Sequence, residues 1–420
     1  MENNLWYKVD NVAKVFLATY NKRDTRSIRL SCTLKEAVDP AILQEAVHLT
    51  AIERPQFQVE IHKGLFWHYF EASKEEVKVR EEFQRPCPLL YGPNWKGPLH
   101  YSVTYWQNRI NLDMFHALTD GTGGLEFLNI IVQNYLKIKY PEEMRELSIY
   151  GGAAADDMTQ DSFKKNYENS KGEVSSKTKK AYQIQGPKLP YKQEQFFEAH
   201  MSVKAVLSLA KQAHVSMSSY LAALLAMAIY EDMPALARKK GKPVTISVPV
   251  NLRNFYKSST ARNFFNSIYI THVFTGQETI ESLAADFNKQ LKEEIEPEKV
   301  KIRMDRFQKL ERFLLIRMVP LAIKNPVVGF FSKKEQQGVS ATLSNVGKIQ
   351  VPDLMKSHIE SYSACCSTEK LFITVTSYED DLVFGISSAY RNTSVLKTLI
   401  RELSSRSIEI TVSATDVVRS

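Results

Sequence analysis

A chain of 420 residues exceeds what one hydrophobic core usually organises, so about two domains are expected. Hydrophobic residues at 44% and charged residues at 24% are ordinary globular values and exclude a wholly disordered or fibrous chain. The net charge of +8 admits nucleic acid, anionic lipid or a phosphorylated ligand as partner. Lys and Arg are spread along the chain and form no nucleic-acid module, so no nucleic acid is expected.

In chain order, RSIRLSCTL (26–34) alternates and predicts a strand. Asp39 is a candidate N-cap with Pro40 at the first helical position. Ile42, Leu43, Ala46, Val47 and Leu49 then form one apolar stripe. FQVEIHKGLFWHYFE (57–71) predicts a hairpin turning at Lys63-Gly64, and LHYSVTYW (99–106) with RINLDMF (109–115) a second through Gln107-Asn108. A helical pattern occupies 125–139. From Gly151 to about Lys188 the chain is polar and rich in small residues, which predicts an interdomain linker with one short helix near 157–168.

The second half repeats a similar order. FFEAHMS (196–202) predicts a strand, VKAVLSLAKQA and SSYLAALLAMAIYE two helices, and KPVTISVPVN (242–251) and SIYITHVF (267–274) two more strands. A helix is predicted at 280–295, a strand and turn at 339–347, a hairpin at 371–388 and a closing helix at 394–403. The expected division is 1–150 as the first half, 151–195 as linker and 196–420 as the second half. Strands interspersed with helices in two halves predict an α/β fold of two sandwiches.

Cys32 and Cys87 stand alone and Cys365 and Cys366 are adjacent, so no zinc site or disulfide framework is expected. The amino terminus lacks a secretory pattern. The longest apolar run, YLAALLAMAIY (220–230), is too short to span a bilayer and predicts a buried helix. The expected protein is cytoplasmic and monomeric. RFLLIRMVPLAIKNPVVGFFSKK (312–334) predicts a buried helix capped by Pro320, with a wall of an acceptor tunnel or a membrane-surface contact as alternatives. LARKKGK (236–242) reads as a solvated loop, with phosphate binding as the alternative.

The chemistry concentrates in HALTDG (116–121), the only His-x-x-x-Asp among nine histidines. A histidine where a strand ends is suited to take a proton from a hydroxyl or amine near neutral pH. Asp120 either orients the ring or is structural. Taken alone, this segment reads better as a satisfied surface histidine. Two distant segments change that balance: VPVNLRNFYKSSTARNFFNS (248–267) and LSNVGKI (343–349). With the opening WYKVDNVAKVFLATY, they follow in order over essentially the whole chain.

Together these segments resemble the HxxxD acyltransferase superfamily, which includes chloramphenicol acetyltransferase, condensation domains, wax ester synthases and polyketide-associated acyltransferases. The nearest resemblance is to bacterial alcohol acetyltransferase-like proteins. It implies two chloramphenicol acetyltransferase-like sandwiches with the active-site channel between them. It further implies His116 as general base, Asp120 in a structural ion pair with Arg253, and Gly121 where a side chain would clash. Ser344 and Asn345 match a turn near the acyl-transfer site and would help hold the thioester or its oxyanion. The implied reaction moves an acyl group from acyl-CoA, a cosubstrate, to an alcohol, with no metal and no permanently bound cofactor. Phe264 and Phe265 are expected to line an apolar acceptor channel, the alternative being ordinary core.

The chain lacks DFGWG, unlike plant members, and Phe115 stands where many condensation domains have a second His. The alternatives are a carrier-protein-dependent or condensation-type enzyme, acylation of an amine, and an inactive binding descendant. The intact His, Asp, Gly and Arg set argues against the last.

Overall fold

The computed structural model describes residues 6–97, 99–147, 159–170, 180–191, 193–312 and 318–415. The first half forms β1 (Trp6–Lys8), β2 (Ser27–Leu34), β3 (Val59–Lys63), β4 (His68–Ala72), β5 (Arg80–Glu81), β6 (Tyr101–Trp106) and β7 (Arg109–Phe115). The second supplies β8 (Gln195–Ser202), β9 (Val244–Asn251), β10 (Phe265–His272), β11 (Ala341–Lys348), β12 (Ile359–Cys366), β13 (Leu371–Tyr378), β14 (Asp381–Ser388) and β15 (Thr411–Ala414). Among the described residues these build sheets of three strands (β1-β4-β3), five strands (β12-β2-β7-β6-β5) and seven strands (β10-β9-β11-β13-β14-β8-β15).

Local chemistry sets the helix ends. Asp39 accepts from the N–H groups of Ala41 and Ile42, and Pro40 opens the helix Pro40–Glu53. That helix packs along Gly121–Lys139, which lies on β2 and β7. Leu30, Leu112, Phe127 and Ile131 are buried in the core they enclose. The apolar run of the second half forms the helix Met217–Asp232, which packs against β9 and the helices Ile280–Glu294 and Ser394–Ser405. A helix apolar on every side belongs at the centre of a core. No single helix among the described residues is long and apolar enough to cross a membrane.

Three expectations need correction. First, the division at residue 196 is crossed by one strand. β12 comes from the second half but pairs antiparallel with β2, Ser363 opposite Ser31. Tyr362 is buried in the first half's core and donates to Asn129 Oδ1 at 2.9 Å. β12 also packs on β13 and β14. Gly385 of β14 permits this, since a Cβ there would overlap the Ala364 carbonyl.

Second, parts of the expected linker are anchored. Residues 151–158 and 171–179 lie outside the described residues. Phe163, within the short helix Ser162–Lys165, packs edge-on against Phe264 at 5.1 Å. Tyr182 and Ile184 are buried in the second half's core. Isolated apolar residues found niches that the polar average composition concealed. Third, the helix Leu321–Gln336 begins after Pro320 as expected, but it is not buried: Leu321 is its one buried residue. It rides outside the helix Asn11–Thr19, on the surface of the molecule. Residues 313–317, also within the expected stretch, lie outside the described residues.

Candidate active site

β7 delivers His116 to the junction of the two halves. The ladder with β2 ends at Phe115 opposite Ser27, and the His116 N–H donates to the Arg26 carbonyl at 2.8 Å. The chain then turns into the helix Gly121–Lys139, capped by Asp120. Asp120 Oδ1 accepts from the N–H groups of Thr122 and Gly123, each at 3.1 Å. Its Oδ2 accepts from Arg253 Nη1 at 2.7 Å and from the Phe264 N–H at 2.9 Å. Both oxygens are thereby committed to holding the loop, and neither bonds to the imidazole.

Arg253 sits in the short turn after β9 and is fully engaged. Besides Asp120 it donates from Nη1 to Asn251 Oδ1 at 3.2 Å. Its Nε and Nη2 reach the Thr260 carbonyl at 3.2 and 2.8 Å, and Nη2 the Arg262 carbonyl at 2.7 Å. These contacts use every N–H of the guanidinium. Asp120 and Arg253 therefore pin the loop of residues 253–262 against the start of the helix that follows His116.

Gly121 needs correction. A Cβ added there meets nothing within 4 Å, and the residue has no left-handed backbone. The required glycine is Gly123. A Cβ on Gly123 would overlap Thr119 Oγ1 and the Ala261 carbonyl oxygen, where the two halves meet backbone to backbone.

The imidazole is oriented by the backbone of His116 and Thr119 together with the side chain of Asn263. Its Nδ2 donates to the His116 carbonyl at 2.9 Å and lies 3.5 Å from Asp10 Oδ2. This assigns Oδ1 as the acceptor facing His116 Nδ1 at 3.1 Å. Nδ1 then carries the proton, and Nε2 presents a lone pair. Asp10 holds the amide from behind. It caps the helix Asn11–Thr19 through the Ala13 N–H at 2.7 Å and faces Arg262 Nε at 3.6 Å. Burial pushes the Asp10 carboxyl above its usual range, and the Arg262 charge pulls it back.

Burial lowers the His116 pKa below the ordinary histidine value, and the negative charge of Asp120 partly opposes this. The imidazole is therefore neutral at neutral pH. Phe16 lies against the ring at 4.4 Å between centroids and Phe265 at 5.7 Å. Phe264 takes the other direction. It is fully buried beside Leu252, Val300 and Met304, so it is core and does not line a channel at His116. Successive side chains of an extended segment point to opposite sides, so only one of the two neighbours can face His116.

β11 carries Ser344 and Asn345. It runs parallel to β9 and pairs with it at Ala341–Ile246 and Thr342–Ser247. Asn345 Nδ2 donates to Ser218 Oγ at 3.0 Å, and its Oδ1 accepts from the Gly347 N–H at 2.9 Å. This closes a bulge in which Gly347 has φ of 90°. The Asn345 oxygen thus serves its own turn, one of its two Nδ2–H groups goes to Ser218, and Ser344 is half-buried beside it.

Asn263, Asp10 and Phe16 were not singled out from the sequence. Asn263 lies within the RNFF segment, but a lone Asn in a polar stretch is indistinguishable from a turn residue. Two surface clefts, one lined by Gln44, His48 and Tyr101 and the other by His200, Tyr378 and Asp381, do not include His116. No group of three or more His, Cys, Asp or Glu among the described residues is placed to hold a metal.

No protein-family model matches the sequence, and no curated protein matches it. Solved structures do resemble the fold. The first condensation domain of the CDA synthetase superposes with a TM-score of 0.64 at 12% identity, covering 96% of each chain. TRI101 of F. sporotrichioides, solved with coenzyme A and T-2, superposes with a TM-score of 0.63 at 13% identity, covering 97% of this chain and 99% of that one. Polyketide synthase associated protein 5 from Mycobacterium tuberculosis superposes with a TM-score of 0.58 at 12% identity, covering 94% of this chain and 96% of that one. At such identities the likeness is one of fold. The chain shares the two-domain, chloramphenicol acetyltransferase-like α/β fold of these structures.

Proposed function

We propose that the protein is an acyltransferase that moves an acyl group from an acyl-CoA thioester to an alcohol, with His116 as general base. The observation that carries this reading is the Asn263 contact, which leaves Nε2 unprotonated next to the partly exposed rings of Phe16 and Phe265. Nε2 takes the hydroxyl proton as the acceptor oxygen attacks the thioester carbon. The tetrahedral intermediate collapses with cleavage of the C–S bond, and the imidazolium returns the proton to the departing thiolate. Asp120 and Arg253 act as positioning residues. The oxyanion donor is assigned to the Ser344 hydroxyl, the second Nδ2–H of Asn345 or the backbone N–H groups of the bulge. Coenzyme A as cosubstrate is supported by the likeness to TRI101, whose structure holds it. The apolar rings at His116 suit an acceptor of apolar character.

The test is thiol release from a series of acyl-CoAs against pooled alcohols, for wild type and His116→Ala. Turnover should fall by about a hundredfold to ten-thousandfold in the variant, with an unchanged circular dichroism spectrum. Near-normal turnover by a folded His116→Ala protein would remove His116 as the base.

A further inference from the structure

A helix on a protein surface ordinarily turns its apolar side inward. The helix Leu321–Gln336 does the reverse. Its inner side meets the helix Asn11–Thr19 at a small residue, Gly329, where an added Cβ would lie 3.6 Å from the Ala18 carbonyl oxygen. Two polar side chains bond to the body of the protein. Lys324 Nζ donates to the Phe66 carbonyl at 3.0 Å, and Glu335, exposed and the helix's one acidic residue, accepts from the Tyr269 hydroxyl at 2.7 Å. The outer side carries Ile323, Val327, Phe330 and Phe331, which are 58, 49, 65 and 61% exposed. Their three- and four-residue spacings place them on one stripe. The stripe continues at its beginning into exposed Met318 and into the tip of the β3–β4 hairpin, where Leu65 is exposed and its carbonyl accepts from the Leu321 N–H at 2.9 Å. Lysines bracket it. Lys8 Nζ lies 4.2 Å from the Trp67 ring at the hairpin tip, and Lys333 and Lys334 are exposed in the last turn.

We propose that this face is a membrane-surface site, seated on a bilayer that contains anionic phospholipid. Area and charge select that occupant. A helix of 16 residues is about 24 Å long and about 10 Å wide, so the stripe offers on the order of 240 Å². A stable protein interface takes about 800 Å² from each partner. An interfacial helix needs only one apolar side, flanked by cations that reach the headgroups. Lysines stand at both ends of the stripe, the helix's one acidic residue is held by the Tyr269 hydroxyl, and the chain's net charge is +8. Membrane binding is independent of acyl transfer, so its test needs no turnover.

The whole protein is sedimented with vesicles of phosphatidylcholine alone and of phosphatidylcholine mixed with phosphatidylglycerol. Wild type should bind the anionic vesicles more tightly, and added salt should weaken that preference. Replacing Phe330→Ser together with Phe331→Ser should weaken binding roughly tenfold to a hundredfold, with an unchanged thermal melt. Lys333→Glu with Lys334→Glu should remove the preference for anionic vesicles. Ile323→Gln probes the same stripe if the Phe pair disturbs folding. Failure of wild type to bind either vesicle, or full binding by the folded Phe variant, would overturn the proposal. So would a wild-type dimer in solution that the Phe substitutions convert to monomer, which would make the face a protein interface.

Discussion

At the scale of single residues, Asn263 sets what His116 can do. It fixes the Nδ1–H tautomer and also favours the protonated ring. Burial outweighs that effect and lowers the pKa. A base must be neutral to act, so a lower pKa extends activity toward acid. The rate kcat/KM should therefore rise with pH through an inflection below about 6.5, the ordinary histidine value, and stay flat above it as far as this group is concerned. Asn263→Ala should cost about tenfold to a hundredfold, mainly in kcat, through loss of ring orientation. It should also move the acid inflection further down, because a hydrogen bond to the charged form has gone. An unchanged pH profile would mean that Asn263 is only a packing residue. The two glycines make a second residue-scale contrast. Gly121→Ala should be neutral or stabilise by about 0.4–1 kcal/mol, whereas Gly123→Ala should cost about 2 kcal/mol by overpacking. Urea denaturation of the two variants decides it.

At the scale of elements, Asp120 joins two. One oxygen caps the helix Gly121–Lys139, and the other holds Arg253 and the Phe264 N–H from the second half. Asp120→Asn keeps a competent cap but removes the charge facing a guanidinium that remains largely buried. The expected loss is about 3 kcal/mol, and Asp120→Ala should add about 1 kcal/mol for the lost cap. Chemical denaturation measures both. An Asp120→Asn protein as stable as wild type would contradict a contribution of the ion pair. The helix Leu321–Gln336 shows a different element-scale effect: it docks on Asn11–Thr19 with Gly329 at the contact, while four of its apolar side chains face outward.

At the scale of the whole molecule, the halves share β12. Its hydrogen bonds go to β2 in the first half, and its packing goes to β13 and β14 in the second. Unfolding one half therefore strips the other of a buried surface. A single cooperative transition is expected on denaturation by urea, followed by both fluorescence and circular dichroism. Gly385→Ala, which drives a Cβ into the Ala364 backbone, should destabilise the protein by about 3 kcal/mol or more. Two separate wild-type transitions would show that the halves are independent.

The sequence by itself determined the features that depend on near neighbours. Alternation placed β2, the β3–β4 and β6–β7 hairpins and the β13–β14 hairpin, and Asp39 with Pro40 marked a helix start. These follow from periodicity and capping within a few residues. The segments around His116, Asp120 and Arg253 stood out through motif order, and the structure brings Asp120 and Arg253 together. Only the tertiary structure decided the partner of the imidazole, since Asn263 lies 147 positions away along the chain. It likewise decided that Phe265 faces His116 while Phe264 enters the core, that Gly123 and not Gly121 sits at the close approach, and that β12 crosses between halves. A one-residue step in an extended chain reverses a side chain's direction, and which backbones touch is settled when distant surfaces pack, a condition no local window of sequence contains.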